Sequence, residues 1–91
     1  MKKMTLDQLR MTFQAGGLTT ASIVAEGEKY YVIADTHGGD NVVLVRHSDG
    51  GARLFSDPAT AIKLLRDVGF LVIKIDMTWG ATSSATNSGA G

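Results

Sequence analysis

Two histidines and three aspartates have side chains that could form a metal site or an acid–base pair: His37, His47, Asp35, Asp40 and Asp49. Such groups bind a divalent metal only when several of them converge on one point. A strand-like run from Asn41 to Arg46 separates the histidines, and six residues at about 3.3 Å each place them roughly 20 Å apart. One ion cannot bridge that distance. We therefore interpret these residues as polar turn residues and predict no metal and no cofactor.

Other polar groups have the residue types of reactive sites without the required arrangement. Ser48 and Asp49 follow His47, but consecutive residues of one tight turn point apart and cannot form the relay of a nucleophilic triad. Glu26 and Glu28 flank a glycine at a predicted hairpin tip, where we expect both carboxylates to be solvated, unlike the acid–base pair of an enzyme. The two Gly-Gly pairs open no helix in a phosphate-binding pattern. The sequence therefore predicts a protein that is not an enzyme.

Basic side chains in the second half of the chain form a candidate nucleic-acid patch consisting of Arg46, Arg53, Lys63 and Arg66. Lys63 and Arg66 are neighbours at i and i+3 on a predicted helix. However, nine Lys and Arg residues balance nine Asp and Glu residues, which gives a formal net charge of +0. Proteins that neutralise many phosphates usually carry a positive charge. The alternative interpretation is an ordinary solvated helix face.

The composition is typical of one small globular domain. The chain has 91 residues, of which 44% are hydrophobic and 20% are charged, and domains usually contain about 100 to 200 residues. The absence of cysteine excludes disulfides, thiolate nucleophiles and cysteine zinc sites. The N-terminal lysines precede no apolar signal region, and no apolar run approaches the ~20 residues of a membrane span. We expect a cytoplasmic protein that does not contact a membrane.

Helix signals occur at two places. A capping-box pattern begins at Thr5, and two glycines from Gly16 onward end the first predicted helix. The Asp57-Pro58 pair begins the second, because Asp caps free amides and proline loses no hydrogen bond at the first helical position. Gly69 ends it.

Four runs rich in β-branched and aromatic residues lie between the helices, at residues 22–26, 29–35, 41–47 and 52–55. Their short glycine turns require antiparallel neighbours. The segment FLVIKIDMTW then alternates as a half-buried fifth strand, with Leu71, Ile73, Ile75 and Met77 on one side.

The order α-β-β-β-β-α-β predicts a two-layer α+β fold, with a mainly antiparallel sheet and both helices on one face. Residues 1–79 form this single domain, whereas residues 80–91 (GATSSATNSGAG) are expected to be a disordered tail.

The middle strands predict a contact surface. Residues 30–34 and 42–45 are apolar without a break, whereas a sheet covered on one side normally alternates. Two helices cover one face, so we expect a second copy to cover the other in a homodimer. A strongly twisted sheet with a small apolar patch is the alternative. The side chains predicted to face outward are Tyr30, Val32, Val43 and Val45.

Two segments, TLDQLRMTFQAGG at 5–17 and GARLFSDPATAIKLLRDVGFLVIKIDMTW at 51–79, resemble the ParC family of plasmid partition-associated proteins, which is distinct from the topoisomerase subunit of that name. The shared pattern is a short helix ending in AGG, a Tyr-rich strand pair, R-x-F-x-x-P, a helix of the A-x-x-L-L-R-x-x-G type and an amphipathic last strand. It covers about residues 5–79.

This resemblance implies a non-enzymatic accessory protein of plasmid partition or maintenance that acts through protein contacts. Its implied partner is the partition ATPase or the centromere-binding protein, and no functional residue is transferred from the family. The alternative is a DNA-binding regulator of a plasmid operon that uses the basic patch as a dimer.

Overall fold

The computed structural model describes residues 1–76, which form one five-stranded sheet and two helices. In chain order the elements are β1 Lys2–Met4, α1 Leu6–Gln14, β2 Leu18–Glu26, β3 Lys29–Thr36, β4 Asn41–Leu44, α2 Pro58–Val68 and β5 Ile73–Asp76. The strands lie side by side in the order β1-β4-β3-β2-β5. Both helices pack against one face of this sheet. The predicted α+β class is confirmed.

The sheet is mixed rather than mainly antiparallel. β2, β3 and β4 form an antiparallel meander, as their short connections require. Glu26 pairs with Lys29 across the first hairpin, where Gly27 has a φ of 62°. The outer strands run parallel to their neighbours, β1 to β4 and β5 to β2. Each outer strand is joined to the meander through a helix, so no tight turn dictates its direction.

Two strand predictions were wrong. β1 had not been predicted, because three residues that include two lysines show no apolar pattern. Its Met4 carbonyl accepts a hydrogen bond from the Val45 N–H over 2.9 Å. The predicted strand at 52–55 is replaced by two isolated bridges, from Ala52 to Val45 and from Phe55 to Tyr30. The chain leaves the sheet in a tight turn after β4, so the observed order is β-α-β-β-β-α-β.

The predicted helix boundaries are confirmed. At α1 the Gln8 N–H donates to the Thr5 hydroxyl over 3.4 Å, and the Thr5 N–H donates to the Gln8 side-chain oxygen over 2.9 Å. This reciprocal pair is a complete capping box. At α2 the Asp57 carboxylate accepts from the Ala59 N–H over 2.9 Å. Gly69, with a φ of 127°, ends α2.

A single apolar core joins the two layers. Its largest fully buried side chains are Phe70, Leu9, Ile23, Leu44, Leu65, Val32 and Val42. The rings of Phe13 and Phe70 pack with their centroids 4.7 Å apart, which ties α1 to the end of α2. The core uses only the helix-facing side of the sheet. The predicted tail at 80–91 and the last residues of the predicted fifth strand lie outside the described residues.

Candidate functional site

The His and Asp side chains considered for chemistry are dispersed over the turns and strand ends. His37 and His47 are exposed in the turns that precede and follow β4. The Asp35 carboxylate accepts a hydrogen bond from the Thr20 hydroxyl over 2.7 Å. The Asp40 carboxylate lies 3.9 Å from the Lys2 ammonium. Within residues 1–76, no group of three His, Cys, Asp or Glu side chains could hold a metal ion.

Asp49 closes the turn after β4. Its carboxylate accepts two hydrogen bonds from the Arg46 guanidinium and one from the Gly51 N–H, each 2.9 Å long. The hydrogen bond from Arg46 is the main cause that lowers the pKa of Asp49, and the same contact raises the pKa of Arg46. His47 and Ser48 are exposed in this turn. The cluster therefore acts as a turn, which agrees with the interpretation of these residues as turn formers.

The four residues of the predicted basic patch line two different depressions. Arg46 and Arg53 line one beside the start of α1. Arg46 is already bound to an aspartate, and the Arg53 guanidinium carbon lies 5.4 Å from the centre of the Phe55 ring. Lys63 and Arg66 line the other depression, on α2. Arg10 and Asp67 also line this second depression, and sequence reasoning had not included Arg10.

The predicted outward-facing set was wrong for β3. Val32 has no exposed surface and belongs to the core, against which Tyr30 also packs. Val43 of β4 lies on the sheet face away from the helices, together with its β3 partner Ile33, whereas Val45 is only 6% exposed. Side chains alternate between faces along a strand, so Val32 and Val43 cannot share one. The outward side chains of β3 are therefore the odd-numbered ones.

We call the sheet face away from the helices the open face. At its centre lie Val24, Tyr31, Ile33 and Val43, which register as cross-strand neighbours: Val24 opposite Tyr31, and Ile33 opposite Val43. One transverse row crosses the whole sheet in the order Lys3, Val43, Ile33, Ser22 and Lys74. An apolar centre with a lysine at either end is thus presented on one side of the molecule.

The apolar exposure of the open face is smaller than the sequence suggested. Tyr31, Ile33 and Val43 are half-buried, and Val24 is only 9% exposed. Only a part of each of the three half-buried side chains is exposed, so this apolar patch is within the range of ordinary monomer surfaces, about 300–600 Å² at most. A stable dimer usually needs about 800 Å² from each partner.

Three exposed large apolar side chains of the described residues lie close together elsewhere in the chain. Leu71 is 97% exposed, Val72 is 53% exposed and Ile75 is 48% exposed. The alternation of the last strand predicted a half-buried strand, but only Ile73 packs against the core. β5 is the last strand of the sheet formed by residues 1–76, so this apolar segment lies along an outer edge of that sheet. We call residues 71–76 the β5 edge.

The β5 edge was missed because alternation shows which residues share a side and not whether a helix covers that side. No local signal in the sequence marks β5 as an outer strand, because its position in the sheet depends on contacts between distant segments.

No helix within residues 1–76 is long and apolar enough to span a membrane. Comparison of the chain with protein-family models, with curated proteins and with solved structures finds no match.

Proposed function

We propose that this protein is a non-enzymatic accessory protein that acts through protein–protein contacts and binds its partner on the open face. The observation that carries the proposal is the apolar centre of Val24, Tyr31, Ile33 and Val43 on a sheet face that neither helix covers. A rigid sheet holds these side chains in place, so binding would order few groups and lose little conformational entropy. A half-buried tyrosine at the centre is also a common anchor of protein interfaces.

The charges on the open face favour a protein partner over nucleic acid. By strand register, three lysines and three carboxylates lie on this face: Lys3, Lys29, Lys74, Glu26, Asp35 and Asp76. Equal numbers of cations and carboxylates around an apolar centre form a balanced polar rim, as protein interfaces usually have. A phosphate backbone would meet repulsion as well as attraction there.

The biological setting of the proposal comes from the resemblance of residues 5–79 to the ParC family. On that basis the module takes part in plasmid partition or maintenance in the bacterial cytoplasm. Its partner is then the partition ATPase or the centromere-binding protein encoded with it.

The test is a binding titration by calorimetry with each of these two purified proteins. Ile33→Arg places a charge at the centre of the open face and should weaken binding by about tenfold or more. Met11→Arg is the matched control, because Met11 is 69% exposed on α1. Tyr31→Ala provides a second variant that adds no charge, and thermal melting checks that each variant folds. Wild-type affinity for Ile33→Arg and Tyr31→Ala, or no binding of either protein, would refute the proposal.

A second candidate function is DNA binding as an operon regulator. Arg10, Lys63 and Arg66 surround one depression on the helix layer, with Asp67 as the carboxylate among them. If DNA binds there, a gel shift with plasmid operon DNA should weaken steeply between low and moderate salt. The Lys63→Glu/Arg66→Glu variant should abolish the shift, and Arg46→Glu should show whether the first depression contributes.

A further inference from the structure

The two outer edges of the sheet differ in how well they resist pairing with another strand. β1 has three residues, and two of them are lysines, which is a common protection of an edge strand. The β5 edge carries three exposed apolar side chains: Leu71 at 97% and Val72 at 53% directly before the strand, and Ile75 at 48% within it. An exposed apolar edge strand is a template for strand addition.

The backbone of β5 presents its unpaired groups at defined residues. The Ala21 N–H of β2 donates to the Val72 carbonyl over 3.3 Å, so the polar groups of residue 72 point toward β2. Backbone groups alternate in direction along a strand, so those of Lys74 also point toward β2. Those of Ile73 and Ile75 point away from the sheet and can form a new ladder.

We propose that β5 pairs antiparallel with β5 of a second copy, around a two-fold axis perpendicular to the sheet and centred on Ile75. The pairing joins two five-stranded sheets into one of ten strands. It goes beyond the proposed function, because it uses the edge of the sheet and leaves the open face uncovered. Since the axis is perpendicular to the sheet, the open faces of both copies lie on the same side and form one doubled surface.

The charges on β5 select this register. In the pairing centred on Ile75, Lys74 lies opposite Asp76 of the partner subunit, and the symmetry produces this pair twice. The outward groups of Ile75 make the central pair hydrogen-bonded, so the charged pairs are non-hydrogen-bonded, with Cα atoms about 4.5 Å apart and side chains close together. Opposite charges in that position stabilise a strand pair. Asp76 also has an interaction within its own chain, and the two oxygens of a carboxylate can accept several donors.

Among the symmetric registers centred within β5, Ile73–Asp76, the other three lack this complementarity. Centring on Lys74 places two lysines opposite each other, and centring on Asp76 places two aspartates opposite each other, both of which are destabilising. Centring on Ile73 places Lys74 opposite a valine. Ile75 faces its own counterpart only when it is the centre, where two side chains that are 48% exposed cover each other. The strand is therefore complementary to itself in one of these four registers.

The experiment is a charge exchange in the full-length chain, with mass measured by light scattering after gel filtration and by native mass spectrometry. The wild type should form a dimer at micromolar concentration. Lys74→Asp and Asp76→Lys each convert both cross-strand pairs to like charges and should weaken the dimer by about tenfold or more. An equimolar mixture of the two variants should form a heterodimer, and the double variant Lys74→Asp/Asp76→Lys should dimerise again. Lys3→Asp on β1 is the matched control and should dimerise like the wild type.

Four results would overturn the inference. These are a wild-type monomer, dimers of both single variants with wild-type affinity, failure of the mixture to form a heterodimer, and a monomer that dimerises only after residues 77–91 are removed. A dimer that is insensitive to the charge exchange but is lost in Ile33→Arg would assign self-association to the open face instead. Partner binding by Ile33 and Tyr31 variants is measured separately, so failure of this dimer leaves the proposed function standing. Thermal melting of every variant excludes unfolding as the cause.

Discussion

Replacing Gly69 with alanine should strongly destabilise the protein, for two separable reasons. Gly69 has a φ of 127°, a backbone conformation that L side chains rarely adopt, and such strain costs about 1–3 kcal/mol. A Cβ at this position would lie 2.6 Å from Cε1 of Phe13 and 3.1 Å from its Cζ. The Phe13 ring cannot retreat freely, because it packs against Phe70. Overpacking of this kind costs typically about 1–3 kcal/mol more.

Gly16→Ala is a matched control for the backbone contribution. Gly16 also has a positive φ, of 81°, but a Cβ there would meet no atom within 4 Å. Urea unfolding should therefore show a larger loss of unfolding free energy for Gly69→Ala than for Gly16→Ala. The total for Gly69→Ala, about 2–6 kcal/mol, is a large fraction of the stability of a small domain.

A double-mutant cycle isolates the steric contribution. Phe13→Leu removes the Cε1 and Cζ atoms that approach the new methyl group, so Gly69→Ala should cost less in that background by about 1 kcal/mol or more. Equal costs for Gly69→Ala and Gly16→Ala in the wild-type background, together with no coupling to Phe13, would refute the assigned packing of α1 against the end of α2.

Three further predictions concern the helix, the turn and ligands. Asp57→Ala should lower the unfolding free energy by about 1 kcal/mol through loss of the cap, and Leu65→Ala by about 2–5 kcal/mol through loss of core packing; equally negligible effects in urea unfolding would contradict the α2 assignment. Because the pKa of Asp49 is lowered by Arg46, the stabilisation of this turn is complete above the ordinary carboxyl pKa and is lost as pH falls through the lowered one. Arg46→Gln should move the Asp49 carboxyl titration, followed by NMR, upward, and an unchanged midpoint would contradict the pairing. Zinc, magnesium or nucleotides should leave the melting temperature unchanged, and an increase of several degrees would support a ligand or cofactor site.

The boundaries of the helices were predictable because their signals are local. Thr5 forms its capping hydrogen bonds with a residue three positions away, and the Asp57 carboxylate accepts a hydrogen bond from a backbone amide two positions away. Gly69 ends α2 because of its own positive φ. The three-strand meander follows from turns too short for parallel neighbours. Each of these features depends on residues within a few positions of one another.

The candidate surfaces were only partly predictable. The unbroken apolar runs in β3 and β4 correctly indicated that both sheet faces carry apolar side chains. They could not indicate which set meets the helices, because a shift of one residue exchanges the two faces. The structure places Val32 in the core and Ile33 on the open face, so the outward-facing set differs from the predicted one.

The α+β class, the capped helices and the hairpin meander are predictable from the sequence, since they depend on local hydrogen bonds and on the periodicity of apolar residues. Three features emerge only from the folded chain: β1 and β5 join as parallel outer strands, Arg46 and Lys63 line different depressions, and Leu71 and Ile75 are exposed. These features depend on contacts between distant segments, which set the strand order, the face and the edge. The alternation of apolar residues along a strand predicts which side chains share a face. Whether that face is buried depends on which other helix or strand packs against it.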